Sequence, residues 1–279
     1  MNRLHRHAWH VIRGLVLLLL LVLAWQVIAA DAPRVRITYL YDNTAAATGT
    51  RPGWGFAALV ERDGRRVLFD TGGDAEVLRH NVAALGVDLG QIDALVISHE
   101  HWDHTKGLSV LGARPGLPAY YPASADAASP WIAELDRAGL QRRPIHAMTE
   151  VVPGIWATAE QAKATAPEIA LAIDTDDGLL VLVGCSHPGA DRMVQDIRQR
   201  TGRPVLLLAG GLHLLQSSVP ETERVLASLA QQGVRHLGST HCTGDVATGM
   251  ARRLWGDRFV EGGVGTVLEH APLRRTTVR

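Results

Sequence analysis

Asp93-Ala94-Leu95-Val96-Ile97-Ser98 runs directly into His99-Glu100-His101-Trp102-Asp103-His104. The first six residues are short, apolar and β-branched in the middle, the pattern of a buried strand. In an extended segment, residues two apart project to the same side. His99 and His101 can therefore grip one ion while Glu100 points elsewhere. As the chain turns, Asp103 and His104 can present an oxygen and a nitrogen to a second ion nearby. Imidazole with carboxylate suits Zn²⁺ and also accommodates Mn²⁺ or Fe²⁺. The spacing thus makes this stretch a candidate metal site, with zinc the preferred ion.

Outward from this stretch, strand patterns occur at 35–41, 56–60, 66–69, 94–98, 169–173, 179–183, 205–209 and 265–268. Helical patterns fall near 74–85, 125–138, 190–201, 221–232 and 245–255, with Gly86, Gly139, Gly202 and Gly233 just past four of their ends, where a left-handed cap is favoured. Asp63-Gly64 reads as a hairpin turn. Consecutive strands followed by more regular strand–helix alternation predict an α/β fold with helices covering the outer faces of sheets. Residues 43–55 and 112–124, rich in Ala, Gly, Pro and Thr, read as loops.

Three further stretches follow apolar strands: Phe69-Asp70-Thr71-Gly72, Gly184-Cys185-Ser186-His187-Pro188-Gly189 and Ser239-Thr240-His241-Cys242-Thr243-Gly244. Together with the H-x-H-x-D-H stretch, they resemble the stations of the metallo-β-lactamase superfamily, over roughly residues 35–270. The resemblance implies a four-layer αβ/βα sandwich and a binuclear site. His99, His101 and His187 would hold the first ion, and Asp103, His104 and His241 the second. Asp70 would orient the ligating histidines from behind.

The resemblance breaks at one place. Where the superfamily usually carries an aspartate bridging both ions, after strand 205–209, this chain has Gly210-Gly211-Leu212-His213. GCSH, GGLH and THCTG together resemble the branch related to dihydropterin-ribofuranosylaminobenzene-phosphate synthase. His213 either substitutes for the missing carboxylate or donates a hydrogen bond to the substrate or to the attacking water. The two cysteines, Cys185 and Cys242, each stand within two residues of an expected ligand and so should be spatial neighbours. A disulfide, a soft ligand or two inert buried thiols all satisfy that placement, and shared strand parity with His187 turns Cys185 toward the metals. Lys106 stands where a glycine pair is usual and puts a cation near the mouth. It meets an anionic substrate there or is simply solvated. Arg51 and Trp54, in the first loop, are candidate substrate contacts, with segment 113–165 as a further selector.

The chain has 279 residues, 28 Lys+Arg and 28 Asp+Glu. The neutral balance argues against a nucleic-acid partner, and 47% hydrophobic residues suffice for a sizeable core. Arg3, Arg6 and Arg13 precede an apolar run at 14–30 in which Gln26 is the sole polar side chain. Residues 1–30 therefore read as a signal peptide or an uncleaved membrane anchor, delivering the remainder, 31–279, to the periplasmic or extracellular side. The membrane enters as a partner only through that segment.

No G-x-S-x-G elbow, Walker loop or dinucleotide fingerprint is present. The expected chemistry is attack of a metal-bound hydroxide on an ester, lactone, amide or phosphate bond of a small-molecule substrate, with Asp103 and His213 as the participating side chains. The alternatives are a synthase that joins a pterin fragment to an aryl ribosyl phosphate, and a non-catalytic metal-binding module. A di-iron oxygen-reducing role is disfavoured, because such relatives carry a carboxylate where this chain has His101.

Overall fold

The computed structural model describes residues 35–161 and 166–270. The expected leader, 1–30, lies outside the described residues. Among the described residues, no helix is long and apolar enough to cross a membrane.

Thirteen strands form two sheets among the described residues. In chain order, with the helices interleaved, the elements are β1 (Val35–Tyr41), β2 (Ala57–Arg62), β3 (Arg65–Phe69), α1 (Ala75–Ala84), β4 (Ala94–Val96), α2 (Trp102–Thr105), β5 (Pro118–Pro122), α3 (Pro130–Arg137), β6 (Gln141–Ile145), β7 (Thr149–Val152), β8 (Ile155–Ala157), β9 (Leu171–Thr175), β10 (Gly178–Val183), α4 (Ala190–Thr201), β11 (Val205–Gly211), α5 (Val219–Gln231), β12 (His236–Thr240), α6 (Asp245–Trp255) and β13 (Val267–His270). The first sheet runs β13-β1-β2-β3-β4-β5-β6 and the second β12-β11-β10-β9-β8-β7. β3 to β6 are parallel to one another, as are β10 to β12.

The central strands are apolar without interruption because both of their faces are covered. Along β10, Leu180 and Leu182 face the other sheet with Ile37, Val60 and Phe69. Val181 and Val183 face the opposite way, packing with Met193, Ile197, Leu226 and Ala251 of α4, α5 and α6. On the first sheet, Leu68, Leu95 and Ile97 pack outward with Leu78 of α1 and with Trp131, Ile132 and Leu135 of α3. Helix, sheet, sheet, helix is the expected four-layer order. Burying each such Leu, Ile or Val contributes about 1.5–3 kcal/mol, so the interleaved faces dominate the stability of this frame.

The Asp63-Gly64 hairpin forms between β2 and β3, with both residues at positive φ. Asp74 caps α1, its carboxylate accepting from the Glu76 and Val77 backbone N–H groups. Gly202 closes α4 at φ 66°, its N–H donating to Arg198 O.

Two expectations need correction. Segment 112–124 is not all loop: β5 lies within it, pairing Ala119 with Leu95 and Tyr120 with Val96. Pro118 and Pro122 bound that strand and disguise it, since proline ordinarily signals a turn or an edge. The helix expected from 125 begins at Pro130, because Ser129-Pro130 is a helix start with proline in the first turn. The edge strand β6, Gln-Arg-Arg-Pro-Ile, escaped recognition because four of its five residues are exposed.

Candidate metal centre

The parallel strands of both sheets end at the same rim, where a crevice outside their carboxyl ends collects the loops. Asp70 follows β3, Ser98 and His99 follow β4 and precede α2, Cys185 and His187 follow β10, His213 follows β11, and His241 follows β12. The described residues hold five non-glycine residues at positive φ, and four stand here: Asp70 (57°), Ser186 (62°), His213 (53°) and His241 (51°). Such conformations cost on the order of 1–3 kcal/mol each. They persist because the loops are tied on several sides.

His99, His101 and His187 form one group of donors, with ring centroids 4.6–4.7 Å apart. Asp103, His104, Cys185 and His241 form a second, whose ligand atoms all lie within 4.8 Å of one another. His241 Nε2 is 3.3 Å from Asp103 Oδ2, and His104 Nε2 is 3.2 Å from Cys185 Sγ. The His213 ring lies 4.2 Å from that of His187, tilted by 51°, and makes a third group with His187 and Cys185.

The hydrogen bonds behind these rings decide where their lone pairs point. Asp70, fully buried, accepts from Ser98 N at 2.7 Å, from Ser98 Oγ at 2.7 Å and from His104 Nδ1 at 2.7 Å. The single Ser98 hydroxyl proton is thus committed to Asp70. The 2.9 Å contact between Ser98 Oγ and His99 Nδ1 must then be donated by the ring. Asn43 Nδ2 donates to His241 O, so its Oδ1 is the acceptor facing His241 Nδ1 at 2.9 Å. In all three rings Nδ1 faces its hydrogen-bond acceptor and Nε2 faces the centre, the orientation of a metal-ligating histidine. His241 Nε2 is buried and makes no hydrogen bond. A buried lone pair facing a carboxylate lacks a cation, and a divalent ion fits that gap.

Burial and the crowding of imidazoles hold His99 and His101 below the ordinary histidine range, and the same causes bring His187 down to about 3. These rings are neutral and free to ligate. Burial opposes charge on His104, but the Asp70 carboxylate outweighs it and carries His104 up to about 9. Burial alone would raise the Asp103 carboxyl, yet the adjoining His241 and His104 imidazoles bring it down to about 2.

The six expected ligands therefore come together in the two expected groups, with Asp70 behind them. Cys185 and Cys242 are both buried free thiols, so no disulfide joins them. Cys242 Sγ donates to Cys185 O at 3.7 Å. Trp54, 44% exposed, lies 5.1 Å from the His241 ring at the mouth. Lys106 Nζ sits 5.0 Å over the Trp102 ring, which is half exposed. Its neighbour Gly107 has no room for a side chain, because a Cβ there would stand 1.9 Å from Thr71 O. Arg51 is exposed, held through its backbone by Asn81. Within segment 113–165, Tyr121 and Trp131 pack edge to face in the core, and Arg142 pairs with Asp136. His80, His146, His236 and His270 stand apart from the donor groups, as their spacing predicts.

Four participants escaped the sequence reading. Asn43 and Ser98 set ring tautomers. Asp42, buried, takes the Thr240 hydroxyl and the Gly263 N–H, tying β1 to the end of β12. Glu168, fully buried, accepts from the backbone N–H groups of Gly184, Cys185, Ser186 and His187 at 2.8–3.0 Å. Burial pushes its carboxyl up to about 7 against the pull of those donors. A shared signal was available. Asp42, Asn43 and Ser98, like Asp70, are polar residues at the carboxyl end of an apolar strand, and Glu168 is a lone acid inside an apolar run.

The chain is 28% identical over 268 residues to the 7,8-dihydropterin-6-methyl-4-(beta-D-ribofuranosyl)-aminobenzene-5'-phosphate synthase of Methanocaldococcus jannaschii, which covers 78% of this chain and 89% of that one. Its structure superposes on that of Tm1679, a metal-dependent hydrolase of the beta-lactamase superfamily, with a TM-score of 0.71, 27% identity and coverage of 85% and 99% of the two chains. The metallo-beta-lactamase fold protein YhfI from Bacillus subtilis shares the fold at a TM-score of 0.62 and 14% identity, over 84% and 99% of the chains. The family model described as the metallo-beta-lactamase superfamily matches residues 51–199, more than half of the chain, and the chain belongs to that superfamily.

Proposed function

We propose that this protein is a binuclear metal-dependent hydrolase acting on an ester, lactone, amide or phosphate bond. The observation that carries the proposal is the pair of adjoining donor groups, His99/His101/His187 and Asp103/His104/His241, with the Nε2 atoms of His99, His104 and His241 turned inward. The centre opens to solvent past the partly exposed His101 and His187 and the exposed His213, as a catalytic rather than a structural site requires. Two divalent ions held there, Zn²⁺ being the best match to the donors, would lower the pKa of a shared water and polarise the electrophilic oxygen of the substrate.

The remaining work falls to the chain. Asp70, Ser98 and Asn43 fix the ring orientations. Asp103, held anionic, accepts a hydrogen bond from the attacking water, and His213, at the open edge beside His187, delivers a proton to the leaving group. Trp54 offers a flat apolar face next to His241. Lys106 on Trp102 offers a cation that favours an anionic substrate. The Arg-containing, apolar leader supports placing this domain on the exported side of a membrane.

The full-length protein, assayed for bound Zn, Mn and Fe and screened against esters, lactones and phosphodiesters, tests the reading. Two ions per chain and a turnover lost in His101→Ala are expected. A protein that binds no metal, or activity that survives that substitution, overturns it. The relative named as a synthase favours a second reading, joining a pterin fragment to an aryl ribosyl phosphate. Formation of the joined product with no hydrolysis of any ester would select it.

A further inference from the structure

The chain carries no carboxylate at the strand end where the two donor groups would ordinarily share one, and that strand end has no room for a side chain at Gly210 or Gly211. A Cβ on Gly210 would stand 1.9 Å from Val183 O, and one on Gly211 would stand 2.6 Å from both Cys242 Sγ and Gly184 O. The end of β11 is closed to any side chain at these positions. The space it leaves is filled by the loop after β10.

Cys185 Sγ belongs to the donor group of Asp103, His104 and His241, and also to the group of His187 and His213. Among the described residues it is the one donor shared between the second-ion group and a group containing a first-ion histidine. Its sulfur lies 3.2 Å from His104 Nε2, the atom that the Asp70 hydrogen bond turns toward the centre. The placement is enforced. Cys185 N donates to Glu168 Oε1 at 2.9 Å, and Ser186 Oγ donates to Gly211 O at 2.7 Å, so the backbone that carries the sulfur is held on both sides. Cys242, by contrast, joins none of the donor groups and points its sulfur at the Cys185 carbonyl.

We infer that Cys185 Sγ is the bridging ligand of the two ions, standing in from β10 for the carboxylate that β11 has no room to carry. The inference rests on the binuclear reading above. On coordination the thiol proton leaves to solvent and the sulfur forms a bond to each ion, because a coordinating thiol is deprotonated outright. The thiolate supplies the single negative charge that a carboxylate would, while biasing the site toward softer ions, zinc or cobalt over manganese.

The test uses the full-length protein, stripped by chelator and reloaded with Co²⁺ or Zn²⁺. A near-ultraviolet sulfur-to-cobalt charge-transfer band is expected, and a zinc–sulfur distance of about 2.3 Å by X-ray absorption. Both signatures should persist in Cys242→Ser and vanish in Cys185→Ser. Cys185→Asp should lose them too while still binding two ions, whereas Cys185→Ala should bind its second ion at least about tenfold more weakly, within the range seen when ligand supports are removed. Wild-type protein showing only nitrogen and oxygen neighbours overturns the inference without requiring any variant to fold. So does a sulfur signature that follows Cys242. Turnover without the sulfur signature would sink the bridge and leave the hydrolase standing, whereas the signature without turnover would do the reverse.

Discussion

The two sheets supply their halves of the centre in different ways. The first sheet delivers four candidate ligands within six residues, His99 to His104, on one strand end and the short helix α2. They are braced by the single buried carboxylate of Asp70, and Thr71 donates both its N–H and its hydroxyl to His104 O. The second sheet delivers its side chains from three separate strand ends, those of β10, β11 and β12, each at a left-handed turn. One half is a local motif and the other exists only after the strands are parallel and in register. Loss of the partly exposed His101 from the first should cost function at nearly full stability, while damage to the turns of the second should cost both.

Substitution of ligands should show the largest effect. His101→Ala in the first half and His241→Ala in the second should each lower hydrolytic turnover on the order of 10³-fold or more, since members of a catalytic unit fail together. The double variant should be little worse than either single one, and additive losses would contradict a joint centre. Glu168→Gln comes next and separates the halves. It replaces a buried carboxyl facing four N–H donors and turns an amide N–H toward one of them, which should cost about 2–3 kcal/mol in denaturant unfolding and lower metal content. An unchanged midpoint would show that the second-sheet turn holds itself.

Asp70→Asn should weaken metal binding roughly 10- to 100-fold, and Asn43→Ala should fall at the lower end of that range, both read by competition with a chelating dye. The first should act through His104 and the second through His241. Asp70 also sets a pH dependence. In the metal-free protein His104 titrates at about 9, above the ordinary histidine value. The charged pair therefore stabilises the fold fully below the unfolded histidine pKa, and that stabilisation is lost as pH rises through about 9. Thermal melts of chelator-treated protein should decline over that window and flatten in Asp70→Asn. The smallest effect belongs to the rim. Lys106→Ala should raise KM for an anionic substrate severalfold at unchanged kcat, consistent with an exposed cation worth about 1 kcal/mol.

The contrast between the halves also decides what could be read from the sequence. His99, His101, Asp103 and His104 are legible because strand geometry converts their spacing into a direction. Asp70, His187 and His241 are legible only as stations of a family pattern, since nothing near them in sequence reveals their convergence. Glu168 and Asn43 stayed hidden for a related reason. Their partners are backbone groups and a ring 16–19 and 198 residues away, and neither bond leaves a periodicity. The strands followed burial. β10, covered on both faces, is plain as an apolar run, while β5 is masked by its prolines and β6 by its exposed arginines. The missing bridging carboxylate was visible as Gly210-Gly211. What stands in its place could be inferred only from the distances around Cys185.

Metal content measured together with turnover tests the central claim most directly. Full-length protein purified without chelator should carry two divalent ions per chain, lose hydrolysis when they are stripped, and regain it on addition of Zn²⁺. Hydrolysis that continues unchanged in the metal-free protein would contradict it.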